Sequence, residues 1–96
     1  MNDFIGRFCV VRTFTAGVHC GTLRESSDTA VVLTDARRIW RWRGANSLNE
    51  LSQHGAAQEH TRISEPVPLI LLTQATEVLP CSEKAQKNLT KQRWGN

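Results

Sequence analysis

Residues 35–42, Asp-Ala-Arg-Arg-Ile-Trp-Arg-Trp, hold more chemically capable side chains than any other stretch of the chain. Arginine forks bind phosphates in a bidentate manner, and an indole face stacks on a nucleobase or a guanidinium. On a strand, alternate residues share a face. Arg38, Trp40 and Trp42 would then line one side, and Arg37, Ile39, Arg41 and Arg43 the other. One arginine beside two tryptophans suits a nucleotide, and Arg12, near the end of an earlier strand, could supply a second positive charge. The candidate ligand-binding set is therefore Arg12, Arg37, Arg38, Trp40 and Trp42. A structural reading competes with it, in which both tryptophans fill a core and Arg38 pairs with Asp35. Trp40 is open to either reading, whereas Trp42, nearer the following loop, points to a site or a subunit interface.

The charge distribution supports a local anion site. Arg37, Arg38, Arg41 and Arg43 place four positive charges in seven residues with no acid among them. The formal net charge is +3, so without those four the remainder of the chain carries −1. Lys84, Lys87 and Lys91 are the three lysines, and they lie near the C-terminus with Arg93. A patch and a tail of this kind suit a small anionic ligand at least as well as a long nucleic-acid backbone, and a solvated strand face is the plain alternative.

Groups for catalysis are sparse. There is no Gly-x-x-x-x-Gly-Lys loop, dinucleotide fingerprint or His-Glu-x-x-His. His19, His54 and His60 are scattered, and His19 sits in a strand, where it reads as a hydrogen-bonded structural histidine. The nine acids form no close pair on one expected face, so carboxylate acid–base chemistry and metal-assisted hydrolysis lack their usual residues. Ser26, Ser27 and Asp28 read as a turn. Cys9, Cys20 and Cys81 are an odd number without Cys-x-x-Cys spacing, so they read as small buried apolar residues, not as a disulfide framework or zinc site. The expectation is a protein that is not an enzyme and uses no metal or cofactor.

The elements that must position these residues are mostly strands. Residues 4–14, 18–25, 30–34 and 37–42 carry β-branched and aromatic residues between tight polar links, and a meander is the economical topology. Asp35 and Ala36 read as a short connection. Ser47 is a candidate N-cap and Gly55 a stop, which gives a short helix near 48–54; residues 55–65 read as a loop. Pro66 and Pro68 delay pairing until Leu69, and 69–79 reads as one long central strand, the most buried of the fold and long enough to bend. Alternation puts Leu71 and Leu72 on opposite faces. Ser82 can cap a helix near 83–89. The fold class expected is mainly β: a small SH3-like or Sm-like barrel of roughly five strands, spanning residues 1–90, with a basic tail at 91–96. The run Val-Arg-x-x-x-x-Gly-Val-x-x-Gly-x-Leu, a turn, then Val-Val-Leu-x-Asp-Ala resembles the first three strands of an Sm-type barrel. An interior this small is filled by side chains, so a ligand binds on a surface, in a loop cleft or between subunits.

A chain of this length buries roughly 60–68% of its unfolded surface, enough for one modest core. No run approaches the ~20 apolar residues of a spanning helix, and no signal peptide is visible, which implies a small intracellular domain without membrane attachment. Apolar strand edges imply self-assembly, with a dimer as the default.

The runs IGRFCVVRTFTAGVHCGTL, VVLTDARRIWRWRGANSLNELSQHG and PVPLILLTQATEVLPCSEKAQ resemble a family of small uncharacterised phage and prophage proteins filed as a domain of unknown function. The likeness covers most of residues 4–86, and its most specific element is Asp-Ala-Arg-Arg-Ile-Trp-x-Trp. Arg41 stands where many members are expected to carry an aromatic residue, which disfavours a shared role there. The resemblance implies a viral origin and the cytoplasm of a bacterial host. Small phage proteins of this kind include sponges that hold cyclic ADP-ribose derivatives or cyclic dinucleotides without cleaving them, so sequestration of an immune nucleotide is the leading expectation. An Sm-like nucleic-acid-binding barrel and a structural or host-interaction module are the alternatives.

Overall fold

The β-branched runs of the first forty residues form three antiparallel strands, and the remaining segments fold around them. The computed structural model describes residues 2–92. After a 3-10 turn at Asn2–Phe4 come β1 (Phe8–Thr13), β2 (Val18–Ser27) and β3 (Ala30–Arg41), then α1 (Leu48–His54), β4 (Arg62–Ile63), β5 (Val67–Leu72), β6 (Ala75–Pro80) and α2 (Glu83–Lys91). Arg93 and the rest of 93–96, part of the expected basic tail, lie outside the described residues.

β1, β2 and β3 form the expected meander, and β6 pairs with the free edge of β1. The far edge of β3 is shared between β5, opposite residues 31–36, and β4, opposite residues 39–41. β5 and β6 thus sit on opposite edges of the sheet yet are joined by Thr73 and Gln74 alone, so the sheet must curl into a small barrel. The corner is held by the Ala75 N–H donating to the Thr29 carbonyl at 2.7 Å and the Phe14 N–H donating to the Gln74 carbonyl at 3.0 Å. The β-rich fold with two short helices agrees with the reading of the sequence.

Both faces of the β1–β2–β3 sheet are covered. Cys9 and Val11 of β1 point into the barrel with Leu23, Leu33 and Leu72. Phe8 and Val10 point outward and pack with Cys20 and Ile39 against Leu48 and Leu51 of α1 and Ala85 and Leu89 of α2. Burial pushes the Cys9 thiol up to about 11 and those of Cys20 and Cys81 up to about 12, so all three stay neutral at physiological pH. No helix among the described residues is long and apolar enough to cross a membrane.

Local chemistry sets the helix ends. The Glu50 N–H donates to Ser47 Oγ at 3.2 Å and the Asn46 N–H donates to the Glu50 carboxylate at 3.1 Å, a reciprocal cap on α1. Ser82 Oγ accepts from the Ala85 N–H at 3.1 Å and donates to the Gln53 carbonyl at 2.6 Å, which ties the start of α2 to the end of α1. Gly55 ends α1 with a φ of 78°, and a Cβ there would lie 2.5 Å from Asn88 Cγ. That closeness lets the Asn88 amide exchange two 3.0 Å hydrogen bonds with the backbone of Ala56.

Three expectations need correction. Residues 30–34 and 37–42 are not two strands joined at Asp35-Ala36. β3 runs through that point, and a bulge accommodates the extra residue: Thr22 pairs with Thr34 but Cys20 with Arg37. Asp35 adopts a φ of 50°, and opposite it only a glycine fits, because a Cβ on Gly21 would stand 2.9 Å from the Thr34 carbonyl oxygen. Residues 55–65 are not all loop, since Arg62 and Ile63 pair with β3. Finally, 69–79 is neither one strand nor the most buried. The corner at 73–74 breaks it, and with the helices on the other side of the barrel Leu69 is 52% and Leu71 63% exposed, whereas Leu72 is 3% exposed. Leu72→Ala should therefore cost about 2–5 kcal/mol, and Leu71→Ala should stay within about 0.5 kcal/mol, in urea unfolding of the two variants.

Candidate functional site

The bulge at Asp35 decides which arginines face what. It shifts the alternation by one residue, so Val31, Leu33, Ala36 and Arg38 share the barrel side while Arg37 and Ile39 face the helices. Arg37 is 6% exposed. Its Nε donates to the Ser64 carbonyl at 2.8 Å, Nη1 to those of Leu89 and Thr90 at 3.0 and 3.2 Å, and Nη2 to that of Gln92 at 2.7 Å. Burial lowers its pKa from the ordinary value, but a guanidinium stays charged, and the negative end of α2 is its counterpart. Arg37 thus borders the cleft with its fork already committed, and it cannot offer a phosphate a bidentate grip.

A second bulge lies between the pairs Ile39–Ile63 and Arg41–Arg62. It reverses the alternation again, and Trp42 packs against the helix-covered core beside Ile39 instead of standing next to Trp40. The same bulge leaves Trp40 61% exposed and sets Arg41 directly across from Arg62. Arg12 lies on β1, exposed, with Nη1 3.9 Å from Glu77 Oε1, and it borders no part of the cleft described below. Of the five residues proposed from the sequence, Arg37 and Arg38 line that cleft, the first with its fork committed; Trp40 lies exposed two residues along β3 and outside that lining, Trp42 packs against the core, and Arg12 lies on β1 away from the cleft. Asp35 forms no ion pair with Arg38 among the described residues.

Arg38 stands at the rim of a cleft of about 360 Å³ lined by His19, Ala36, Arg37, Ser64, Glu65, Val67 and Ile70. Ser64 holds its wall in place: its N–H donates to the Arg38 carbonyl and its Oγ accepts the Arg38 N–H, both at 2.8 Å. His19 is paired in register with both Val11 and Arg38 and is 1% exposed. Its Nε2 lies 3.0 Å from the Ala16 carbonyl, which can only accept, so Nε2 carries the hydrogen and Nδ1 the lone pair. Nδ1 has no hydrogen-bond partner among the described residues. Burial, with Arg38 nearby, holds the His19 pKa below its ordinary 6.5 against the raising effect of the Ala16 bond.

Arg38, Arg41, Arg43 and Arg62 have no carboxylate within 4.0 Å among the described residues. Two like charges facing each other across a ladder destabilise it, so the Arg41–Arg62 pair is a ready counterpart for an anion. His19 and Arg62 are the members that sequence reasoning missed. The first was read as structural, which its Ala16 bond makes it; the second lay in a segment read as loop. No three His, Cys, Asp or Glu side chains among the described residues gather as metal ligands.

The family described as a domain of unknown function (DUF6948) matches residues 6–89. The chain belongs to that family. No curated protein and no solved structure matches it significantly. The family match runs from β1 into α2, so it takes in both bulges, the cleft, and Arg37 with its Ser64 and Leu89 partners but not Thr90 or Gln92.

Two outcomes follow from this geometry. Arg37→Ala strands three carbonyls at the end of α2 and removes a buried charge-assisted network, so it should lower stability by about 3 kcal/mol, against about 0.5 kcal/mol or less for Arg38→Ala, in thermal or urea unfolding. As pH falls below 6.5, the unfolded chain binds a proton on His19 that the folded chain refuses. That contribution to stability is thus complete above 6.5, declines down to the folded pKa and is flat below it. Urea midpoints between pH 7.5 and 5 should show it in the wild type and lack it in His19→Asn.

Proposed function

We infer that this protein is a phage- or prophage-encoded binding protein that captures a nucleotide-derived immune signal, of cyclic ADP-ribose or related type, in the cytoplasm of the bacterial host and holds it without cleaving it. The observation that supports this reading is Arg38 lining a cleft, with the exposed Trp40 two residues along β3 and the Arg41–Arg62 pair next to it in register, none of these arginines having a carboxylate partner among the described residues. Arginine forks would neutralise phosphate and the indole would stack on a base. Self-association belongs to the same reading: Val67, Leu69 and Leu71 form an exposed apolar stripe on β5, a strand paired on one edge only.

The experiment is to incubate the protein with cyclic ADP-ribose derivatives and cyclic dinucleotides, remove free ligand, heat, and analyse what is released by mass spectrometry. One intact species should appear. Arg38→Ala and Trp40→Ala should weaken its binding about ten- to a hundredfold with the melting temperature nearly unchanged. Retention of no nucleotide, or release of a cleaved product, would overturn the reading. The row of arginines extends beyond the cleft, which favours single-stranded nucleic acid as the second reading. In that case an oligonucleotide binds instead, with an affinity that falls steeply with salt.

A further inference from the structure

We propose that the cleft at the barrel mouth selects a base carrying an N–H donor, which it reads through the Nδ1 lone pair of His19, while Arg38 at the rim takes the adjoining phosphate. The inference rests on the nucleotide-binding reading above and names what that site distinguishes. A side chain as buried as His19 ordinarily has both ring nitrogens paired. Here the β1–β2 loop spends one of them: Thr13 Oγ1 donates to the Gly17 carbonyl at 2.9 Å and accepts the Ala16 N–H at 2.8 Å, and this fixes the Ala16 carbonyl that receives Nε2–H. Nδ1 is left as a buried acceptor without a partner among the described residues, on a residue that lines the cleft. Ala36, Val67 and Ile70 supply apolar wall for the flat face of a ring. Glu65, the one acid in the lining, repels phosphate and so favours placing the anion toward Arg38.

Size narrows the class further. Cavities for drug-sized ligands run from roughly 300 to 1,000 Å³, and about 360 Å³ is near the lower bound. One base with its sugar and a single phosphate fits that space. The remainder of a larger nucleotide would extend over Trp40 and the Arg41–Arg62 pair.

The test compares adenosine 5′-monophosphate with purine riboside 5′-monophosphate, which lacks only the exocyclic amine, by calorimetric titration. The wild type should prefer the first by about tenfold, the worth of one hydrogen bond to a buried acceptor. His19→Leu should abolish the preference, and Arg38→Ala should weaken both ligands alike while keeping their ratio. Should His19→Leu fail to fold, nitrogen NMR of the wild type decides the matter: Nδ1 should move upfield on adding adenosine 5′-monophosphate and stay put with the analogue. Equal binding of the two nucleotides, or an unmoved Nδ1, overturns this inference and leaves the binding function standing. If neither binds, this inference falls as well, and the nucleotide reading is decided by the release experiment with the cyclic ligands.

Discussion

The guanidinium of Arg37 joins three parts of the chain that share no continuous secondary structure. From the middle of β3 it reaches the linker at Ser64 and the last carbonyls of α2. A buried arginine without a carboxylate would be costly in an apolar core. Here the end of a helix takes the carboxylate's place: its unpaired carbonyls need donors and carry the negative end of the dipole. The two deficits cancel, and α2 is locked onto the outer face of the sheet. With Ser64 fixed by the same contact, the β4–β5 linker stands as a wall beside Arg38. One arginine of the basic run is thereby spent on architecture, and its spending shapes the cleft the next one borders.

Much of the architecture was legible because its signals are local. Ser47, Gly55 and Ser82 bracket the helices through backbone groups a few residues away, and the β1–β2–β3 meander follows from short links between β-branched runs. The 69–79 segment was illegible for a physical reason. Leu-Ile-Leu-Leu has the composition of a central strand, but burial depends on what covers a face. Both helices lie on the outer face of β1–β3, so β5 keeps one apolar face open. Nothing in the run itself signals that, and the corner at Thr73-Gln74 has no glycine or proline to mark it.

The site was half legible. Strict alternation from Arg37 to Trp42 correctly separates Arg37 and Ile39 from Arg38 and Trp40. It fails at Trp42, because a bulge adds a residue to β3 between Ile39 and Arg41. Bulges are set by the partner strand, and the partner here, β4, is two residues long and carries no strand pattern. The same omission hid Arg62 and made Arg41 look as if it faced away from Trp40. Gly21 and Asp35 were visible as residues, but their joint meaning, a tight bulge, emerges only once β2 and β3 are in register.

Stability and the proposed binding are divided between the two faces of one sheet. On the helix side, arginine, tryptophan and cysteine are all consumed: Arg37 by carbonyls, Trp42 by packing, Cys20 and Cys81 as neutral apolar filler. On the other side polar and aromatic groups are left uncompensated, with Arg41 held against Arg62, Trp40 exposed, and His19 Nδ1 without a partner among the described residues. Each of these disfavours the free protein slightly, since opposed like charges and an unpartnered buried acceptor both raise its free energy. A ligand that supplies anion, ring face and donor relieves all three at once, and whatever binds only the folded state stabilises it in proportion to the logarithm of its concentration over Kd. A frame secured by Arg37 on one face can carry that mismatch on the other without unfolding, so the clamp and the open face are two halves of one arrangement.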